Sequence, residues 1–480
     1  MLNSNTQKKI NLFILFACML LVLLLPFKKE VWYDETISMM CSKGVNSNAP
    51  IAIPDSVVYS SSQLHQLNTL PNVFTATVVD NSNSFLYNVC LHWFTLAFGN
   101  SLNTYVLLSL IFGVLTLLVV YYLSVSLLGN NLFVSLVTVL LYTDVDFMGM
   151  SHEIRAYIMG MMLSALAGIS FFRYVNGGSR PINLFLTALL SVAVILTHFL
   201  SVYIVLVFVV SLLVIYKKDF FTVRNMLALV LPILLIAIFF YFSISGIQVM
   251  NTQNSKIKAK SIAEGFSYLK VLMGTLKFLS LNFKLTFPAF INKYAVIIVS
   301  ALSVVLLYVA AVRHATSNVV RRNLHLLFLL GSSSSLFLAM LCIKSGHYTA
   351  LYYRYHSFAI PFSILFVAYA LWVLWNRYKL YHFRLVGVIA VFLLPSLGYY
   401  IISVKTHKAR LSYNHISVAA EIVKNNVTEI EVPLWEDAYL IHSVLPANYK
   451  VDYVQNKLSA YFTLQSANGL VKIQKLAKNN

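Results

Sequence analysis

The stretch TYVLLSLIFGVLTLLVVYYLSVSLL, Thr104–Leu128, contains no Asp, Glu, Lys or Arg. It exceeds the roughly 20 apolar residues that carry a helix across the hydrocarbon core of a bilayer. Runs of this kind recur along the chain. Spans are predicted near 10–27, 104–128, 131–148, 154–173, 181–197, 199–216, 225–246, 290–312, 323–343, 356–375 and 385–403. Of the 480 residues, 59% are hydrophobic and only 11% charged. Soluble domains carry about 25% charged residues, so the fold class read here is an α-helical polytopic membrane protein with about eleven transmembrane helices. Lys8 and Lys9 precede the first run, but no small-residue cleavage site follows it, and it reads as a retained anchor.

The short loops orient the chain. FRYVNGGSR, YKKDFFTVR, VRHATSNVVRR and NRYKLYHFR are all basic, and each falls on the side of the N-terminus if the eleven segments alternate. The positive-inside rule then puts the N-terminus in the cytoplasm and the C-terminus outside a plasma (inner) membrane. Three long segments face outward: residues 32–100, 247–289 and the tail from Lys405. Within the first, Asn88, His92, Thr95 and Gly99 fall four, three and four apart, one stripe of a helix lying along the membrane surface or of a short tilted span. The tail alternates helix and strand patterns, giving a small α/β appendage over 404–480 beyond a membrane domain over 1–403. Part of the net charge of +19 lies in outer-loop lysines such as Lys270, Lys277 and Lys284, which suit either solvent or an anionic headgroup. Cys41 and Cys90 both fall outside, and sequence alone does not decide whether they pair. No nucleotide-binding loop, zinc spacing or nucleic-acid module occurs.

No predicted helix has an ionisable residue near its middle, where ion-coupled transporters keep theirs. The ionisable residues collect instead at the outer helix ends, in four clusters. Asp34 and Glu35 follow the first span, and Glu153, Arg155 and Tyr157 open the fourth. His198 sits in the tight turn between the fifth and sixth, and Lys344, His347, Arg354 and Tyr355 precede the tenth. Each has an ordinary reading: a helix cap, an exposed ion pair, a turn-satisfying histidine, a snorkelling arginine beside belt tyrosines. Taken together, carboxylates and guanidiniums on one membrane face supply a base and an anion clamp, the pair needed for group transfer from a lipid phosphate.

The order of these motifs resembles the GT-C superfamily of polyprenyl-phosphate-dependent glycosyltransferases, which includes protein O-mannosyltransferases and lipid A aminoarabinose transferases. The matching residues are Asp34-Glu35 after the first helix, Glu153-x-Arg155-x-Tyr157 at the fourth, His198 in an outer turn, and Arg354-Tyr355 with Pro361 at a late helix. Two departures stand out: NSFLY, Asn83–Tyr87, lacks the prolines of the family's N-x-P-P-x-Y stretch, and an apolar run around Val106 replaces an expected arginine. The resemblance implies transfer of a sugar from a polyprenyl-phosphate donor to a hydroxyl of a glycan, lipid or protein acceptor on the extracytoplasmic face, with inversion. Asp34 is then the general base, with Glu35 and Glu153 as the other catalytic carboxylates, orienting the acceptor or holding a divalent cation. Arg155, Arg354, Tyr355 and Lys344 bind the donor phosphate, and Tyr157 and His198 contact substrate. No cofactor is implied with certainty. A lipid-linked sugar flippase or polysaccharide exporter is the alternative reading, and a non-catalytic scaffold the third.

Overall fold

The computed structural model describes residues 4–24, 33–44, 58–60, 69–79, 84–177, 180–216, 221–238, 241, 267–284, 293–346, 348, 353–378, 415–432, 441, 445, 449, 452–455, 461–466 and 469–474. The helices in chain order are α1 Ser4–Leu24, α2 Tyr33–Ser42, α3 Leu70–Val79, α4 Phe85–Phe98, α5 Leu102–Leu128, α6 Leu132–Tyr142, α7 Val145–Ser151 and α8 Tyr157–Asn176. They continue as α9 Pro181–Thr197, α10 Val202–Tyr216, α11 Val223–Ile238, α12 Tyr268–Asn282, α13 Lys293–Arg313, α14 Asn318–Ser345, α15 Ile360–Arg377 and α16 His415–Lys424.

Among the described residues seven helices are long and apolar enough to cross a membrane, and the bent pair α6–α7 makes an eighth if it counts as one span. The protein is therefore polytopic and helical, but the count of eleven is not reproduced. α9 and α11 fall short of spanning length, and the span expected over 385–403 lies outside the described residues.

Local chemistry sets the helix ends. Ser101 Oγ accepts from Thr104 N at 3.2 Å to start α5, and Gly129 ends it with a positive φ of 71° that favours glycine. Asp144 breaks the third predicted span: its Oδ1 accepts from Phe147 N at 2.7 Å, capping α7 where the chain turns by 63°. The other carboxylate oxygen of Asp144 meets Lys284 Nζ, tying the end of α12 into this break. Both side chains are largely buried, so the outer-loop Lys284 is neither solvated nor free for a headgroup.

α8 and α15 are almost wholly enclosed and form the centre of the bundle. Two glycines of α8 let the chain approach closely. A β-carbon at Gly160 would collide with the Phe358 ring, and one at Gly168 would lie 2.6 Å from Phe362. The 3₁₀ turn Tyr353–Ala359 before α15 is thereby seated against the start of α8.

α4 is the helix expected in the first outer loop. Asn88, His92 and Thr95 face inward, with Asn88 Nδ2 donating to Thr77 Oγ1 at 3.1 Å and His92 Nδ1 to the Ser42 carbonyl at 2.8 Å. Trp93, Leu96 and Phe98 point outward. The polar stripe thus serves protein contacts, while the apolar face is the exposed one. Cys41 and Cys90 are not joined by a disulfide.

A five-stranded sheet of order β1-β3-β2-β4-β5 is built from β1 Val58–Ser60, β2 Glu429–Val432, β3 Asp452–Gln455, β4 Tyr461–Ser466 and β5 Gly469–Gln474. β2 and β3 run parallel, with Glu429 opposite Asp452, and the other pairings are antiparallel. The strand pattern read in the tail is seen in β2 to β5. The edge strand β1 comes from the first outer loop, so that loop and the tail share one sheet.

Candidate active site

Four chain segments distant in sequence meet at one end of the bundle. Asp34 lies in the first turn of α2, and its carboxylate reaches Arg354 in the 3₁₀ turn, Oδ2 to Nη1 2.5 Å. Arg155, in the turn before α8, comes to 3.9 Å from the same oxygen. Its Nη1 also donates to the Asp34 carbonyl at 2.8 Å and to Ser38 Oγ at 3.1 Å. The guanidiniums are 12% and 11% exposed, while Asp34 is 23% exposed, so the carboxylate is the more open member of the trio. Asp34 Oδ1 makes no hydrogen bond to a described residue.

Glu35, the next residue, points the other way. It is buried, and its Oε1 accepts from Ile154 N at 2.7 Å. The adjacent carboxylates therefore separate into one partly open group and one that fixes the backbone beside Arg155. Glu153 is buried too, and its carbonyl accepts from Ser109 Oγ at 2.6 Å. Ser109 in turn meets the Tyr87 hydroxyl at 3.0 Å, and burial pushes the Tyr87 phenol up from its ordinary value. The Tyr of NSFLY thus sits beneath the Glu153 turn without the prolines.

An aromatic wall backs the charges. His198 lies 5.3 Å from Tyr157, 5.5 Å from Tyr355 and 5.7 Å from Phe358 between ring centroids. Arg155 sits over the Tyr157 ring at 5.8 Å and Arg354 over Tyr355 at 5.6 Å, cation–π contacts that restrict both guanidiniums. The Tyr203 hydroxyl donates to the Tyr355 carbonyl at 2.9 Å. His198 Nδ1 accepts from Leu200 N at 3.3 Å, so the neutral ring carries its proton on Nε2. Burial, then the Arg155 and Arg354 charges, push His198 down to about 3.

Asp34, Glu35, Glu153, Arg155, Tyr157, His198, Arg354 and Tyr355 are thus neighbours. Glu153 and Arg155 precede the fourth predicted span rather than opening it, since α8 starts at Tyr157. Lys344 is exposed in the last turn of α14 and makes no hydrogen bond or ion pair with the described cluster. His347 lies outside the described residues. Sequence reasoning missed Ser38, Ser109, Tyr203 and Phe358. Only Ser38, four residues after Asp34 on a helix, had a spacing that could have flagged it.

No group of three His, Cys, Asp or Glu converges among the described residues. Glu35 Oε1 is committed to a backbone N–H, and Asp34 Oδ2 already meets two cations.

No protein-family model matches the chain, and no curated protein sequence matches it. Solved structures are similar to it. One is the oligosaccharyltransferase of Archaeoglobus fulgidus in complex with Zn and sulfate, at 10% identity and a TM-score of 0.46, covering 93% of this chain and 63% of that one. Another is ArnT from Cupriavidus metallidurans in the apo state, at 11% identity and a TM-score of 0.38, covering 92% of this chain and 84% of that one. The chain thus spans under two thirds of the oligosaccharyltransferase's length. Both are likenesses of fold at low identity, and the functional reading rests on the cluster itself.

Proposed function

We propose that the chain is a membrane glycosyltransferase that moves a sugar from a polyprenyl-phosphate donor to an acceptor hydroxyl on the extracytoplasmic face. The observation that carries this reading is the Asp34 carboxylate held against the guanidiniums of Arg354 and Arg155 at one end of a polytopic bundle. Such a constellation pairs a proton acceptor with an anion clamp at the depth of a lipid headgroup.

Asp34 Oδ1 takes the proton of the acceptor hydroxyl as that oxygen bonds to the anomeric carbon. The bond from that carbon to the phosphate oxygen breaks, and its electron pair leaves with the polyprenyl phosphate. Attack opposite the leaving group inverts the anomeric centre. Arg354 and Arg155 hold the growing phosphate charge, each with donors besides those facing Asp34. Glu35 and Glu153 act by fixing the turn that carries Arg155, and the wall of Tyr157, His198 and Tyr355 gives an apolar face for donor packing. Lys344 contributes at most a charge on the rim.

Membranes carrying the chain, given a panel of labelled polyprenyl-phosphate sugars, should release polyprenyl phosphate and pass label to an acceptor. Donor that crosses between leaflets uncleaved would establish the exporter reading instead.

A further inference from the structure

The end of the bundle opposite Asp34 carries a second feature that the transfer reaction does not use. α8 begins beside the charged cluster and runs for 20 residues, so its far end lies about 30 Å away. There a cavity of about 430 Å³ opens between α5, α8 and α9. Leu127, Phe172 and Ile182 form its apolar side, and Arg173, Asn176 and Arg180 its polar side. Its volume lies within the roughly 300–1,000 Å³ of small-ligand sites.

The charge at this end is one-signed. Arg173 is steered by Tyr122, whose hydroxyl accepts from Nη2 and whose ring lies 5.3 Å from the guanidinium carbon. Arg322, at the start of α14, donates to Asn176 Oδ1 at 2.6 Å and adds a third positive group behind the cavity wall. Among the described residues none of these three arginines has a carboxylate partner. The described carboxylates of the membrane portion, Asp34, Glu35, Asp144, Asp146 and Glu153, belong to the other half of the bundle. Three guanidiniums gathered without a counter-charge repel one another, so the site gains from an anion. Ile182 is 57% exposed beside them, which adds an apolar surface that a free ion would leave bare.

We propose that this cavity binds the headgroup of an anionic phospholipid, its phosphate on Arg173 and Arg180 and an acyl chain along Ile182. Basic pockets between membrane helices suit such headgroups through charge and shape together. The site is independent of the sugar-transfer reading and lies on the opposite membrane face.

The test is native mass spectrometry of the full chain released from nanodiscs of mixed phosphatidylglycerol and phosphatidylcholine. Wild type should retain phosphatidylglycerol selectively. Arg180→Gln, whose side chain makes no described hydrogen bond, should weaken retention about fivefold, and Arg173→Gln with Arg180→Gln about thirtyfold. Arg313→Gln, which removes a basic group outside the cavity, should leave retention unchanged. Melting temperatures check that each variant is folded, and Arg180→Gln alone suffices if the double variant is not. Equal retention of the two lipids, or equal loss in Arg313→Gln, would overturn the site. Displacement of the lipid by inorganic phosphate alone, as completely as by added phosphatidylglycerol, would show a phosphate site and overturn the lipid assignment.

Discussion

Arg354 Nη1 lies 2.5 Å from Asp34 Oδ2, joining residues 320 positions apart. The pair closes one end of the bundle, because Asp34 rides on the short helix after the first span and Arg354 on the turn before α15. Arg155 approaches the same oxygen from a third segment. A neutral group at 34 leaves two guanidiniums facing each other.

Asp34→Asn should therefore do two things. Sugar transfer falls about 10²–10⁴-fold through loss of the base, while the chain stays folded because the Asp34 side chain is partly exposed and Asn keeps its shape. Release of labelled sugar from a polyprenyl-phosphate donor, set beside a melting curve, measures both. Transfer at near wild-type rate would remove Asp34 from the role.

Glu35 and Asp34 should separate under substitution. Glu35→Ala strands the buried Ile154 N–H and should cost about 1–3 kcal/mol of stability. Glu35→Gln keeps an acceptor and should cost less. Chemical denaturation in detergent compares the two, and equal losses would argue against the Ile154 bond as the cause.

His198 predicts a pH dependence with a defined sign. Its folded value of about 3 lies below the ordinary 6.5, so the unfolded chain binds the extra proton between those values. Stability from keeping His198 neutral is complete above pH 6.5 and is lost as pH falls toward 3, at no more than about 1.4 kcal/mol per pH unit. Melting temperature against pH should fall less steeply in His198→Phe than in wild type over that window.

Gly160→Ala tests the seat of the arginine turn. Its methyl group meets the Phe358 ring, and overpacking of this kind costs about 1–3 kcal/mol. Transfer should fall with it, since Tyr355 and Arg354 share that turn. Adding Phe358→Leu should recover part of both losses, and a strictly additive double-mutant cycle would count against contact coupling.

Asp144 and Lys284 form a closed, buried pair, so Lys284→Met alone should cost about 3–5 kcal/mol by stranding a carboxylate. Asp144→Asn combined with Lys284→Met should restore much of the loss in the same denaturation experiment.

Hydrophobic run length and charge placement determined the membrane class, because a lipid-facing helix has to be apolar along its whole length. Motif order likewise marked Asp34, Glu153, Arg155, His198 and Arg354 as residues worth grouping. The break at Asp144 was not legible, since a capping carboxylate inside an apolar run looks like a loop end until Lys284 is seen beside it. Nor could one dimension divide the neighbours Asp34 and Glu35: successive helical residues point about 100° apart, and only packing against Arg354 and Ile154 gave one to the clamp and the other to the backbone. The roles of Phe358 and Gly160 also came from the tertiary structure alone, because close approach between α8 and the turn before α15 is a distance between segments far apart in the chain.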